Sequence, residues 1–310
     1  MKPAKLFVLV SAAAMSGMIA VWAASSFVAR PVQWPVDAPG PPAQSVNLTS
    51  SDGKAIAGTY WPGRCAAGPA VLLLHGINTD RMLFRKHATW LNEIGYSVLA
   101  IDFRGHGASQ AAERTFGWHE ARDASAAFAF LKRSNADRKV GVIGVSLGGA
   151  AALLGASGPV PADGLVSQGV YPNLRTAIRN RLERSGSPRL AALFEPLLSY
   201  QSYPRYGVAP DRIAPVEALK SFKGAVFVIG GTADRDTTRQ NSHALFAAAS
   251  GAKKLWLVAG ADHVQTSKLW TVNYRREVAE FFAAHLGRPD LCDARFQCHP
   301  AEGERLCASF

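Results

Sequence analysis

The stretch Lys139-Val140-Gly141-Val142-Ile143-Gly144-Val145-Ser146-Leu147-Gly148 constrains the fold of this chain more than any other. A β-rich apolar run leads into a serine set between two glycines, and the alanine-rich run Gly149-Ala150-Ala151-Ala152-Leu153-Leu154 follows at once. A backbone that turns from strand to helix in so few residues holds its turning residue under strain and needs small neighbours where the two segments pass. Gly144 and Gly148 provide that room. The helix that follows brings its first N–H groups, which lack intrahelical partners, up to the serine. Gly-x-Ser-x-Gly also arises by chance in loops rich in glycine and serine, so its meaning rests on the remainder of the chain.

From Ser45 onward, strand-like and helix-like runs alternate. Ser45 to Thr49 and Ala55 to Trp61, on either side of the turn Ser51-Asp52-Gly53, predict an antiparallel hairpin. Ala70 to Leu74, Ser97 to Ile101, Gly164 to Ser167, Ala225 to Ile229 and Lys254 to Val258 are short runs of the kind that form strands buried on both faces. Between them, Arg85 to Ile94, Glu120 to Arg133, Thr238 to Ala249 and Val272 to Leu286 have helical periodicity. Tyr171 to Pro215 reads as an irregular insertion. The alternation predicts an α/β fold: a mostly parallel sheet covered by helices, with the hairpin at one end. No internal repeat interrupts it.

The two ends differ from this domain, expected at 44–287. Lys2 and Lys5 precede an apolar run from Leu6 to Ala24, which reads as an export signal cleaved after Val21-Trp22-Ala23 or, alternatively, retained as a membrane anchor. Residues 24–43 contain Pro31, Pro35, Pro39, Pro41 and Pro42 and are expected to form an extended linker. An exported chain is periplasmic or secreted, where Cys65, Cys292, Cys298 and Cys307 would favour disulfides. Four cysteines allow three pairings, and free thiols or a Cys/His metal site are the alternatives. Three of these cysteines fall in the tail 288–310.

A serine hydroxyl is a weak nucleophile until a base removes its proton, and the base needs an acid to set its tautomer. In open α/β sheets such groups lie in loops after the carboxyl ends of strands. Asp234 follows Ala225 to Ile229 through Gly230-Gly231-Thr232-Ala233, ahead of Asp236 in the same loop, and His263 follows Lys254 to Val258 in Gly260-Ala261-Asp262-His263. The order Ser146, Asp234, His263, together with Leu74-His75-Gly76-Ile77 and Asp102-Phe103-Arg104-Gly105-His106-Gly107-Ala108-Ser109, resembles the α/β-hydrolase superfamily over about Ser45 to Leu286. Ala214-Pro215-Val216-Glu217-Ala218-Leu219 is similar to the small bacterial esterases and serine aminopeptidase-like hydrolases with a short lid, placing that lid at about 171–215. The resemblance implies an oxyanion hole at the backbone N–H groups of Ile77 and Leu147, no metal or organic cofactor, and a small-molecule ester substrate. An amide or thioester, or a non-catalytic binding role, are the alternatives.

Other conspicuous residues have plainer readings. His75 and His106 sit in strand-end turns and are expected to make structural hydrogen bonds. Asp102-x-Arg104-Gly105-x-Gly107 lacks the spacing of a dinucleotide loop. His119, Glu120 and Asp123 lie at a helix start, where acids complement the dipole, and His243 and His285 are expected on helix surfaces. Tyr171, Tyr200, Tyr203 and Tyr206, with Phe194 and Trp118, either line a pocket or pack the lid. The net charge of +11 includes the cluster Arg175, Arg179, Arg181, Arg184 and Arg189, but no groove-reading motif accompanies it. A solvated basic face is therefore expected, and no nucleic acid, with attraction to an anionic envelope surface, as in peripheral membrane association, or to an acidic substrate as the alternative.

Overall fold

Eight strands form the central sheet of this protein, whose structure is a computed structural model describing residues 3–64, 68–135, 138–287 and 289. In chain order the elements begin with α1 (Pro3–Ala29), β1 (Val32–Gln33), β2 (Gln44–Thr49), β3 (Ala55–Trp61), β4 (Ala70–Leu74), α2 (Arg85–Glu93), β5 (Ser97–Ile101) and β6 (His106–Gly107). They continue with α3 (Glu120–Ser134), β7 (Val140–Val145), α4 (Leu147–Leu153), β8 (Gly164–Gln168), α5 (Leu174–Ser185), α6 (Pro188–Ser199) and α7 (Ser202–Tyr206). The last are α8 (Pro215–Ala218), β9 (Ala225–Gly231), α9 (Arg239–Ala248), β10 (Lys253–Val258), α10 (His263–Ser267) and α11 (Val272–Leu286). Cys65, Cys292, Cys298 and Cys307 lie outside the described residues.

The sheet runs β10-β9-β8-β7-β4-β5-β3-β2, parallel from β10 to β5 and antiparallel from there through β3 to β2. It is an α/β-hydrolase fold, with helices on both faces and the hairpin at one edge. The strand period of two divides the core. On β4, Ala70, Leu72 and Leu74 pack with Ala127, Leu131 and Leu153 of α3 and α4, whereas Val71 and Leu73 pack with Leu91, Val278 and Phe282 of α2 and α11. That is why the central strands read as continuous apolar runs, since both of their faces are covered.

Two expectations are corrected. Residues 24–29 belong to α1 and not to an extended linker, because no helix breaker intervenes before Pro31, which disfavours helical backbone at Arg30. The stretch from Tyr171 to Pro215 is mostly helical. Asn173 caps α5 through its side chain, and Ser187 caps α6 with Pro188 in its first turn.

The core also encloses ionisable side chains. His87 is surrounded by Phe84, Trp270 and Tyr274 and faces the Leu269 carbonyl through Nε2 at 3.3 Å, while its Nδ1 has no partner among the described residues. Burial, only partly opposed by that carbonyl, pushes its pKa down to about 4. A depressed imidazole pKa contributes stability above the unfolded value near 6.5 and loses it as pH falls toward 4. His87→Phe is therefore expected to flatten the acid side of the stability profile by close to one proton between pH 6.5 and 4, measured as urea midpoint against pH. An unchanged slope would contradict a neutral buried His87.

Candidate active site

Ser146 stands between β7 and α4 with φ 49° and ψ −111°, a left-handed backbone that costs a non-glycine residue of order 1–3 kcal/mol. The glycines around it permit the turn by removing atoms. A Cβ on Gly148 would lie 2.0 Å from the Leu74 carbonyl oxygen, one on Gly144 2.5 Å from Gly149 Cα, and one on Gly149 2.3 Å from Val170 Cγ2. Register then brings the neighbouring loop alongside. Leu74 pairs with Gly144, so the turn His75-Gly76-Ile77 leaves the sheet beside Ser146, and a Cβ on Gly76 would sit 3.7 Å from that of the serine. Among the described residues, the N–H groups of Ile77 and Leu147 donate to no protein acceptor.

The other two groups arrive from β9 and β10. His263 opens α10, and its Nδ1 lies 2.8 Å from Asp234 Oδ2. The loop wraps the Asp234 carboxylate further, since it accepts from the N–H groups of Asp236 and Thr237 at 2.8 and 2.7 Å and from the Thr237 hydroxyl at 2.5 Å. Burial works to raise this carboxyl, but the bond and charge of His263 and the two Thr237 bonds outweigh it and hold the group below the usual range. Gly169, next in the chain to Gln168 whose carbonyl accepts from the Ser146 N–H at 2.9 Å, lies against the His263 ring. Ser146 and the bonded pair Asp234–His263 thus lie at the same end of the sheet. Asp236 instead ion-pairs through Oδ2 with Arg184 at 2.8 Å.

Residues 71–281 match the model of the alpha/beta hydrolase family. The chain belongs to the alpha/beta hydrolase family. An uncharacterized protein of Mycobacterium tuberculosis is 29% identical over 226 residues, covering 72% of this chain and 73% of that one. Among solved structures, the Pyrococcus furiosus esterase Pf2001 superimposes with a TM-score of 0.66 at 23% identity, over 83% of this chain and 99% of that one. An esterase from Exiguobacterium antarcticum gives 0.55 at 17% identity, over 78% and 99%. At these identities the structural likeness shows the shared fold.

In this alpha/beta hydrolase His75, His106, Glu120 and Asp123 hold the loops. His75 is fully buried. Its Nε2 accepts from the Phe103 N–H at 3.0 Å, which leaves Nδ1–H to donate to the Gly76 carbonyl at 2.6 Å and ties two strand-end turns together. His106 donates from Nδ1 to the Arg104 carbonyl at 3.1 Å, and burial pushes it down to about 3. Glu120 and Asp123 stand in the first turn of α3, as expected, and are also bonded to neighbouring loops. Glu120 accepts from Thr115 and Gly117, and Asp123 ion-pairs with the buried Arg104 at 2.7 Å. Asp234, Asp236 and His263 place ligand-type atoms within 4.8 Å of one another, yet the guanidinium of Arg184 on Asp236 opposes a further cation there.

Thr237 escapes a search for catalytic residue types, although Asp234-x-x-Thr237 is the spacing at which an aspartate accepts from a backbone and hydroxyl three residues on. The lid contacts are equally invisible in sequence. Asn180 donates to the Asp236 carbonyl and to Asn241, each at 2.9 Å, and with Arg184 it fastens α5 to the acid loop. Tyr171 is buried and donates to the Phe116 carbonyl at 2.5 Å, whereas Tyr200, Tyr203 and Phe194 are exposed on the lid. Arg184→Ala is expected to raise the rate of limited proteolysis between α5 and α6 several-fold while the thermal midpoint of the core moves little. Unchanged nicking would show that this ion pair does not restrain the lid.

Proposed function

We propose that the chain is a serine hydrolase that cleaves carboxylic esters through an acyl-enzyme. The observation that carries this reading is a strained, glycine-flanked Ser146 at the same sheet end as a His263 whose Nδ1 is bonded to the buried Asp234. With the Nδ1 proton held by Asp234, the lone pair resides on Nε2, which is the base. Ser146 attacks the ester carbonyl as Nε2 takes its proton. Negative charge then develops on the carbonyl oxygen, where the free N–H groups of Ile77 and Leu147 receive it; one such donor contributes on the order of 3 kcal/mol to lowering the barrier. His263 returns the proton to the leaving alcohol, then activates water to release the acid. In this structure the Ser146 hydroxyl makes no hydrogen bond among the described residues, and such bonds often tighten only when substrate arrives. Similarity in fold to two esterases favours esters over amides.

A fluorophosphonate probe is expected to label folded protein at Ser146, and no label is expected on Ser146→Ala. On p-nitrophenyl butyrate, Ser146→Ala and Asp234→Asn each lose about four or more orders of magnitude in kcat. Asp236→Asn, which removes only the Arg184 partner, stays within about tenfold. A larger kcat/KM on aminoacyl anilides would replace the ester with an amide, and labelling that survives in Ser146→Ala would end the serine reading.

A further inference from the structure

Helix α6 is amphipathic in the inverted sense. Ala191, Glu195 and Ser199 face inward, with the Glu195 carboxylate held by Arg175 at 2.9 Å and by Arg179 at 3.5 Å. Leu190, Leu193, Phe194 and Leu197 face outward at the spacing of a single helical stripe, Leu193 being 62% exposed, and Tyr203 on α7 is 67% exposed. A helix covering a water-soluble domain normally turns its apolar stripe inward, so a row of leucines left outside calls for a cover.

The cover is indicated by what lies next to it. Helix α1 packs against α6, and no charged residue occurs between Lys5 and Arg30. Among its described side chains, the large apolar ones Met15, Met18, Ile19, Trp22, Phe27 and Val28 are exposed. The end of this helix is built into the domain. Arg205 donates to the Trp22 carbonyl at 2.9 Å and to Ser25 and Ser26 at 3.1 and 2.5 Å, with its guanidinium 4.0 Å above the Trp22 ring. Arg114 donates to the carbonyls of Val28 and Ala29 and reaches Asn78, the residue after Ile77. Arg114 thereby satisfies carbonyls that the C-terminus of α1 leaves open. Beyond it, β1 pairs with β6, so the connection from α1 to the domain is anchored rather than free. Among the described residues, no helix is long and apolar enough to cross a membrane.

We infer that α1 is retained in the mature chain and that α1 and the outer face of α6 and α7 together form one surface seated on an anionic lipid bilayer. The net charge of +11 and the exposed Arg30 and Arg189 match such a surface in sign. Resting on the ester-hydrolase reading, the same geometry assigns the substrate class: an acyl ester drawn from the lipid phase under the lid. Interfacial aromatic residues such as Trp22, Tyr200 and Tyr203 suit the boundary between headgroups and hydrocarbon.

The test uses the full chain reconstituted in phosphatidylcholine vesicles containing phosphatidylglycerol. Hydroxyl-radical footprinting needs no activity. Labelling of Leu193, Phe194 and Tyr203, corrected for intrinsic reactivity, is expected at least fivefold below that of Val272, which is exposed outside the patch. Equal labelling overturns the inference, as does protection that disappears when each vesicle holds a single chain, which would assign the face to contact between copies. The mass of the chain purified from cells is expected to include α1, and a mature start at Ala24 overturns its retention. Leu193→Glu with Leu197→Glu is expected to raise KM at least tenfold for an ester held in the vesicles, with kcat/KM for p-nitrophenyl acetate within twofold. An unchanged vesicle KM sinks the lipid-phase substrate. Absence of turnover on both esters by the unsubstituted chain refutes the hydrolase reading and the substrate class with it, while footprinting still decides the surface.

Discussion

A close approach of backbone to backbone at the end of β7 is the constraint on which the rest of this molecule depends. Gly148 rests on the Leu74 carbonyl and Gly144 on Gly149, at separations where no Cβ fits. This contact lets α4 start directly over the sheet, holds Ser146 at positive φ, and places its hydroxyl beside the turn that follows β4. Widening it by a single methyl group would move the helix off the sheet, and with it the Leu147 N–H. The strain at Ser146 is sustained because the packed core over-determines the turn from both sides, with α4 alanines on one face and the neighbouring strand register on the other.

Around that contact the strand-end loops hold one another by buried polar bonds. His75 joins the turn after β4 to the turn after β5, Asp102 accepts from the Arg81 and Ala108 N–H groups, and Arg104 spans Asp52 and Asp123. His75, Asp102 and Arg104 are each paired, which limits the cost of their desolvation. The result is a rigid floor under the loops that carry Ile77 and Ser146. The insertion 171–215 is attached through Tyr171, Leu174, Ala177, Val208 and Ile213, which are buried in the main core, and at its margins through Asn180 and Arg184 on one side and the Arg205 contacts with α1 on the other.

The strands were legible in sequence because they are short apolar runs whose pattern is a local property. Ala70 to Leu74 and Ser97 to Ile101 match β4 and β5 at both ends, and the hairpin register follows from its turn. The helical lid was not legible, since its caps Asn173 and Ser187 sit among residues with outward leucines and inward charge, which mimics an irregular segment. The extent of α1 was misjudged for a different reason. A cleavage pattern read from small residues at 21–23 says nothing of whether the helix ends there, and the first proline comes at Pro31.

By itself the sequence determined the α/β alternation, the glycine-flanked serine and the order in which an acid and a histidine follow it, because each is written in periodicity or spacing along the chain. Tertiary structure alone decided that Asp234 meets His263 while Asp236 meets Arg184. It also decided that α6 turns its leucines outward and that α1 ends against Arg205 and Arg114. These are choices among partners distant in the chain, and only the packed fold sets which of two acids, or which face of a helix, comes within reach.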